Sequence, residues 1–319
     1  MTPTPDRHVI VGAGPVGVSL ARVLVEQGRD VLVVTRSGST AGPLPAGARP
    51  VRADAADAAA LADAATGAAA LYNCANPAYH RWPTDWPPIA AALLAAAERT
   101  GAVLVTLSNL YGYGPVDRPM TEDRPLAATG TKGKVRAGMW ADALAAHRAG
   151  RVRATEARAS DFVGPEVLQS HSGERVWPKL LAGKPVKVLG SADQPHSWTY
   201  VPDVARALAA LGSDERAWGR AWHVPSPAPV SQRRLLTDLA AAAGAPTPKV
   251  GVLPSFALTL AGLGSPTIRE VKETLHQLER PWVLDASAAE RELGLRATPY
   301  AEVVAATARW WTTRLRAAA

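Results

Sequence analysis

A glycine motif, a pair of hydroxyls and an aromatic–basic loop are the parts of this sequence that could do chemistry. Gly12-Ala13-Gly14-Pro15-Val16-Gly17 closes a hydrophobic run and opens an amphipathic one. A G-x-G-x-x-G in that setting cradles a dinucleotide. Gly12 permits the tight turn, Gly14 lets backbone approach a pyrophosphate, and Gly17 lets helix pack on strand. Pro15 and Val16 start the helix, whose N-terminus faces the phosphates. Thr35-Arg36 ends the next apolar run. A neutral side chain followed by a guanidinium suits a 2′-phosphate, where an NAD site would carry an acid for the ribose hydroxyls. NADP(H) is the expected cofactor. Ser108 and Tyr111 follow a further apolar run, at the strand edge where doubly wound sheets hold ligands. Either could protonate an alkoxide formed by hydride transfer, a service worth roughly 10²–10⁴-fold in rate. Tyr113, Thr129 and Thr131 are further hydroxyls nearby. Tyr79-His80-Arg81-Trp82 brings aromatic and basic groups to the same edge, with Tyr79 and His80 as candidate substrate contacts.

These groups need a scaffold that gathers loops at one edge. Short apolar, β-branched runs at 7–12, 30–35, 69–74, 103–107 and 152–157 alternate with Ala/Leu-rich stretches of helical length. That alternation predicts right-handed crossovers and a doubly wound parallel α/β sheet covered on both faces. From about Glu166 the pattern changes to scattered helices, short strands near 186–189 and many Pro/Gly breaks. Residues 1–165 are therefore read mainly as the dinucleotide-binding domain, and 166–319 mainly as a smaller substrate-capping lobe. Segments around 186–206 and 221–224 are expected to return to the core sheet.

At 319 residues the chain can bury a large core without staples, and Cys74 is its only cysteine. A reducing compartment, the cytoplasm, is the expected location. The polar, proline-bearing start runs straight into the first strand and leaves no room for a secretory signal. No apolar stretch reaches the ~20 residues needed to span a bilayer. The net charge of +7 is spread among helices and forms no basic run, so nucleic acid is not an expected partner and an anionic cofactor is a better use of the charge. His and Cys do not cluster at metal-ligand spacing, and no G-x-S-x-G follows a strand.

Later segments carry a family resemblance. Ser108-Asn109-Leu110-Tyr111-Gly112, then Ala157-Arg158-Ala159-Ser160-Asp161-Phe162-Val163-Gly164-Pro165, then His196-Ser197-Trp198-Thr199-Tyr200-Val201-Pro202-Asp203 resemble, in order and spacing, successive landmarks of NAD(P)-dependent epimerase/dehydratase proteins. Arg280-Pro281, Glu292-Leu293-Gly294-Leu295 and Trp310-Trp311 are similar to that family's closing segment. These proteins are extended and atypical members of the short-chain dehydrogenase/reductase superfamily. The resemblance implies a Rossmann sheet, an adenine contact at Asp54, and cofactor contacts at Asn73, Ala75, Phe162 and Val163. It places Asp161 beside the nicotinamide, facing substrate. A carboxylate there could act as general base or bind a substrate hydroxyl, and could equally cap the turn before Gly164-Pro165. His196 stands where the family's nucleotide-sugar enzymes use an arginine on the diphosphate. That replacement, with Trp198 and ten tryptophans in all, favours an apolar or aromatic ligand.

Two departures stand out against the family pattern. Val11 replaces the first glycine of the usual G-x-x-G-x-x-G. The family's Tyr-x-x-x-Lys pair, aligned on Lys134, puts Gly130 at the tyrosine. Lys134 is then expected to hold the nicotinamide ribose and lower nearby pKa values, while Lys132 and Arg136 read as a solvated face. The expected function is NADPH-dependent reduction of a small, apolar or polyketide-like carbonyl or enone, with Ser108 or Tyr111 assisting protonation. A non-redox isomerase, dehydratase or cyclase retaining NADP(H), with Asp161 or His80 moving a proton, is the first alternative, and a non-catalytic dinucleotide sensor the second. A homodimer is possible, with no sequence feature fixing an interface.

Overall fold

The computed structural model describes residues 6–40, 42–254, 270 and 272–317; residues 1–5, on which the expectation about a secretory signal rests, lie outside them. Seven parallel strands form one sheet in the order β10-β6-β5-β4-β1-β2-β3. They are β1 (Arg7–Val11), β2 (Asp30–Thr35), β3 (Ala48–Arg52), β4 (Ala68–Asn73), β5 (Val103–Asn109), β6 (Ala154–Ala159) and β10 (Ala221–His223). Side chains alternate between the two faces along each strand. Ile10, Val33, Tyr72 and Val105 meet α1 (Pro15–Glu26) and α6 (Val201–Ser213) on one face. Val9, Val11, Leu71 and Leu104 meet α2 (Ala58–Ala64), α3 (Trp82–Thr100) and α4 (Thr131–Arg148) on the other. Cover on both faces explains why β4 and the end of β1 read as near-continuous apolar runs. The edge strand β3 alternates half-buried and exposed positions and carries a proline, which an edge tolerates.

The small lobe holds two parallel strand pairs. β7 (Asp161–Val163) pairs with β9 (Trp198–Tyr200), and β8 (Val186–Val188) with β11 (Val250–Val252). These pack with α5 (Trp177–Leu181), α7 (Gln232–Ala242) and the closing helix Tyr300–Ala317 around Trp177, Trp198 and Trp311. The 186–206 segment therefore adds no strand to the central sheet, a correction to the sequence expectation. Its two strands find partners within the lobe, and only its helical end, the start of α6, reaches the sheet's face. The 221–224 segment does return, as β10 beside β6. No helix among the described residues is long and apolar enough to cross a membrane.

Candidate active site

The cofactor end is built by backbone. Gly12 has φ +108°, and a Cβ there would sit 2.7 Å from the Cys74 carbonyl oxygen; its N–H donates to Val34 O at 3.0 Å. A Cβ on Gly17 would collide with the Gly12 carbonyl oxygen, whereas one on Gly14 would meet nothing within 4 Å. The turn is thus packed from behind and open at the N-terminus of α1, where Gly14 is the N-cap and Pro15 opens the first turn. Val16 is buried in the core beneath, so it supports the cradle rather than lining it. Pro15 has no N–H, so the N–H groups of Gly14, Val16 and Gly17 are the ones at this end that favour a phosphate.

Residues flanking the cradle lie on the same edge. Thr35 Oγ1 donates to Ser39 O at 3.0 Å, and Arg36 is exposed just beyond β2. The Arg81–Asp85 pair (2.9 Å) stands near Arg36: bonding to Arg81 holds the Asp85 carboxyl low, and the Arg36 charge adds to the effect. Asp54 is exposed in the turn after β3, its Oδ1 accepting from Ala56 N at 3.0 Å. Asn73 is buried at the end of β4, and its Oδ1 accepts from Ala75 N at 3.3 Å.

Beyond the cradle two tyrosine hydroxyls meet, Tyr79 Oη and Tyr111 Oη, 2.8 Å apart. Tyr79 sits in a short 3-10 turn before α3, and Tyr111 in another after β5, set by the Asn109 side chain accepting from Tyr111 N at 3.1 Å. Both rings pack with Trp82. Burial pushes the Tyr111 hydroxyl well above its ordinary value. Burial also raises Tyr79, but the hydrogen bond from Tyr111 and the Arg136 charge pull it back.

Lysine placement corrects the sequence reading. Lys132 is 1% exposed, Arg136 is buried, and Lys134 is exposed. α4 begins at Thr131, so Lys132 and Arg136 share the inward face with Ala143 and Ala146, whereas Lys134 lies about 200° round the helix from Lys132. That spacing from the buried alanines was the available signal. Lys132 Nζ lies 5.8 Å above the Tyr79 ring and is ion-paired to Glu270 and, at 3.2 Å, to Glu273. Arg136 is sandwiched between Trp82 (4.7 Å) and Trp86 (4.3 Å), and burial lowers its pKa to about 10. Counting four positions back from Lys132 reaches Ala128, so neither lysine has a tyrosine at the family spacing.

Ser108 is buried beside the Glu156 carboxylate, whose pKa burial raises and Ser108 helps hold down, next to a polar ladder the sequence reading missed. Arg158 Nε donates to Glu156 Oε1 and Arg158 Nη1 to Tyr113 Oη, each at 2.7 Å. Tyr113 Oη then lies 2.6 Å from His223 Nε2. Alternating polar residues on β6 were the signal.

Asp161 opens β7. β7 pairs with β9, with Asp161 opposite Trp198 and Phe162 opposite Thr199. Asp161 Oδ2 lies 2.8 Å from His196 Nε2 and 3.8 Å from His171 Nε2. Burial pushes the Asp161 carboxyl up, but the two histidines outweigh it and hold the group below the ordinary carboxylate range. Trp198 is buried against His196, ring centroids 4.5 Å apart, and its Nε1 donates to Val230 O. Phe162 leans on the main core, and Val163 is buried in the lobe core. His80 is exposed in the Tyr79–Arg81 turn.

A model of the NAD dependent epimerase/dehydratase family matches residues 8–223, well over half of the chain. The chain belongs to that family. The match begins in β1 and ends with β10, and so spans the whole central sheet. A dTDP-glucose 4,6-dehydratase from Streptomyces venezuelae, solved with NAD and TYD, superposes with TM-score 0.76 at 21% identity, covering 96% of this chain and 97% of that one. An epimerase from Methanothermobacter thermautotrophicus gives 0.80 at 18% identity over 98% and 94%. A UDP-glucose 4-epimerase from Thermotoga maritima, with UDP-glucose, gives 0.77 at 17% identity over 97% and 99%. At these identities the likeness is one of fold. No curated protein sequence matches the chain. Membership of the epimerase/dehydratase family supports a pyridine nucleotide at the glycine cradle.

Proposed function

We propose that this chain is an NADP(H)-dependent oxidoreductase acting on a small, apolar carbonyl or enone, with the Tyr79–Tyr111 hydroxyl pair standing in for the family acid. The observation that carries the reading is the 2.8 Å contact between those hydroxyls, beside Lys132 and the Asp161 edge. When bound, the reduced dinucleotide supplies the hydride. The chain's own groups then supply a proton. Tyr79 is the less buried of the two; its hydroxyl donates to the developing alkoxide. Tyr111 donates to the tyrosinate left behind, and Arg136 favours that anion by charge. Trp82 packs against both tyrosine rings and Trp198 against His196, which favours an apolar ligand. Arg36 supports NADP over NAD, since it is exposed where a 2′-phosphate would lie.

The test is NADPH and NADH binding by tryptophan fluorescence, followed by absorbance at the nicotinamide band against a panel of ketones and enones. Tyr79→Phe and Tyr111→Phe are expected to bind NADPH normally and lose roughly 10²-fold or more in turnover. Turnover at the wild-type rate in both variants would remove these roles. A non-redox proton transfer with retained dinucleotide is the second reading, favoured by the Asp161–His196 contact. Net NADPH consumption in proportion to product counts against it.

A further inference from the structure

We infer that His196 and Asp161 form a largely buried pair that stores a proton at the substrate edge, and that His171 connects the pair to solvent. The inference rests on the reading of this edge as the reactive one.

The hydrogen-bond partners of His196 fix its protonation. His196 Nε2 faces Asp161 Oδ2 at 2.8 Å, and its Nδ1 faces the Gln277 carbonyl oxygen at 3.2 Å. A neutral imidazole has one N–H and one bare nitrogen. A carbonyl can only accept, and so can a carboxylate. Both ring nitrogens must therefore donate, and the ring carries two protons. Turning the ring over would set carbon atoms against both acceptors. Ionisation of Asp161, held below the usual carboxylate range after the cost of its burial, leaves the extra proton on the imidazole.

His223 shows the opposite arrangement in the same molecule. Its Nδ1 faces the Asp285 carbonyl oxygen at 2.8 Å, but its Nε2 faces the Tyr113 hydroxyl, which can donate. One N–H suffices there, and burial lowers the His223 pKa to about 4. The two histidines are equally buried, at 2% and 0% exposure, so the partner set, not burial, separates them. A cation at His196 also gains from the Trp198 ring 4.5 Å away.

His196 is shut off from water, whereas the His171 side chain is 20% exposed and lies 3.8 Å from the same Asp161 oxygen. Burial lowers the His171 pKa, the His196 and Arg175 charges adding to the effect and Asp161 opposing it. Tyr79 and Tyr111 both feel the Asp161 charge. In the reductive direction the hydride and the Tyr79 proton make the alcohol. The stored proton then passes by way of Asp161, whose charge reaches both tyrosines, to the tyrosinate, leaving neutral His196. One proton from solvent, entering at His171, restores the pair, so each turnover takes up one hydride and one proton.

The decisive measurement is nitrogen NMR of the full-length chain labelled at its histidines. At pH 7 one histidine is expected to show both ring nitrogens protonated. That signal should vanish in His196→Gln, persist in His171→Gln, and turn to a single-donor pattern in Asp161→Asn. A wild-type spectrum in which His196 has a bare nitrogen at pH 7 would overturn the inference, and this readout needs no variant to fold. His171→Gln should also lower turnover roughly tenfold or more at unchanged NADPH affinity, with the loss growing as pH rises and proton supply becomes limiting. A doubly protonated His196 in an enzyme that consumes no NADPH leaves the pair standing and removes the redox reading. NADPH turnover with a neutral His196 does the reverse.

Discussion

Glu273 occupies the space that a side chain on Gly130 would need. Its Oε1 accepts from the Lys132 main-chain N–H at 2.6 Å, and a Cβ on Gly130 would lie 2.5 Å from that oxygen. Gly130 is also the N-cap of α4, so the carboxylate satisfies a first-turn N–H that the glycine cannot.

Restoring bulk at 130 should therefore cost stability rather than restore an acid. Gly130→Ala is expected to destabilise by about 1–2 kcal/mol, from displaced Glu273 bonds and a poorer cap. In a Glu273→Ala background the added cost should shrink, a coupling readable from urea melts of the four forms. Equal cost in both backgrounds would refute the steric link.

The lysines separate in the same assay. Lys132→Met strands the Glu270 and Glu273 carboxylates, each partly exposed, and is expected to cost about 1–3 kcal/mol after allowing for solvent screening. Lys134→Met should stay within about 0.5 kcal/mol and leave turnover unchanged. A larger effect at 134 would reinstate the helix register expected from the family spacing.

Cofactor choice rests on Arg36. Arg36→Glu should weaken NADPH binding by about 10–100-fold, the worth of a lost charge-assisted bond, while NADH binding is little changed. Equal losses for the two would show that Arg36 does not meet the 2′-phosphate. Gly12→Ala should abolish both, since the added carbon has no room against the β4 end.

Two buried histidines make the fold sensitive to acid. His8 and His223 are each lowered to about 4, chiefly by burial. The unfolded chain takes up these protons near pH 6.5, so their contribution is complete above that pH. It is lost as pH falls toward 4, about 3 kcal/mol per site. His8→Gln should weaken the fold at pH 7 by losing the bond to the Tyr72 hydroxyl, yet flatten the fall in urea midpoint between pH 6.5 and 4.5. An unchanged slope would place the acid sensitivity elsewhere.

What the sequence by itself determined is local. The glycine spacing at 12, 14 and 17 follows from one turn's sterics, and the strand–helix alternation follows from the periods of 2 and 3.6. Both are written in neighbouring residues, so the parallel sheet, its double cover and the cradle were legible before any coordinates. The return of the chain at 221–224 was legible too, as a short apolar run after a helix. Only the tertiary structure decided which side chains meet. The carboxylates on Lys132 come from 138 and 141 positions away, and Asp161 finds His196 across 35. The hydroxyl pair joins two loops 32 positions apart, and β8 takes β11 rather than the main sheet. Such contacts depend on how loops of no fixed period pack over the sheet edge. Packing also decided between Lys132 and Lys134, because a helix buries the face its neighbours cover, and those neighbours are distant in the chain.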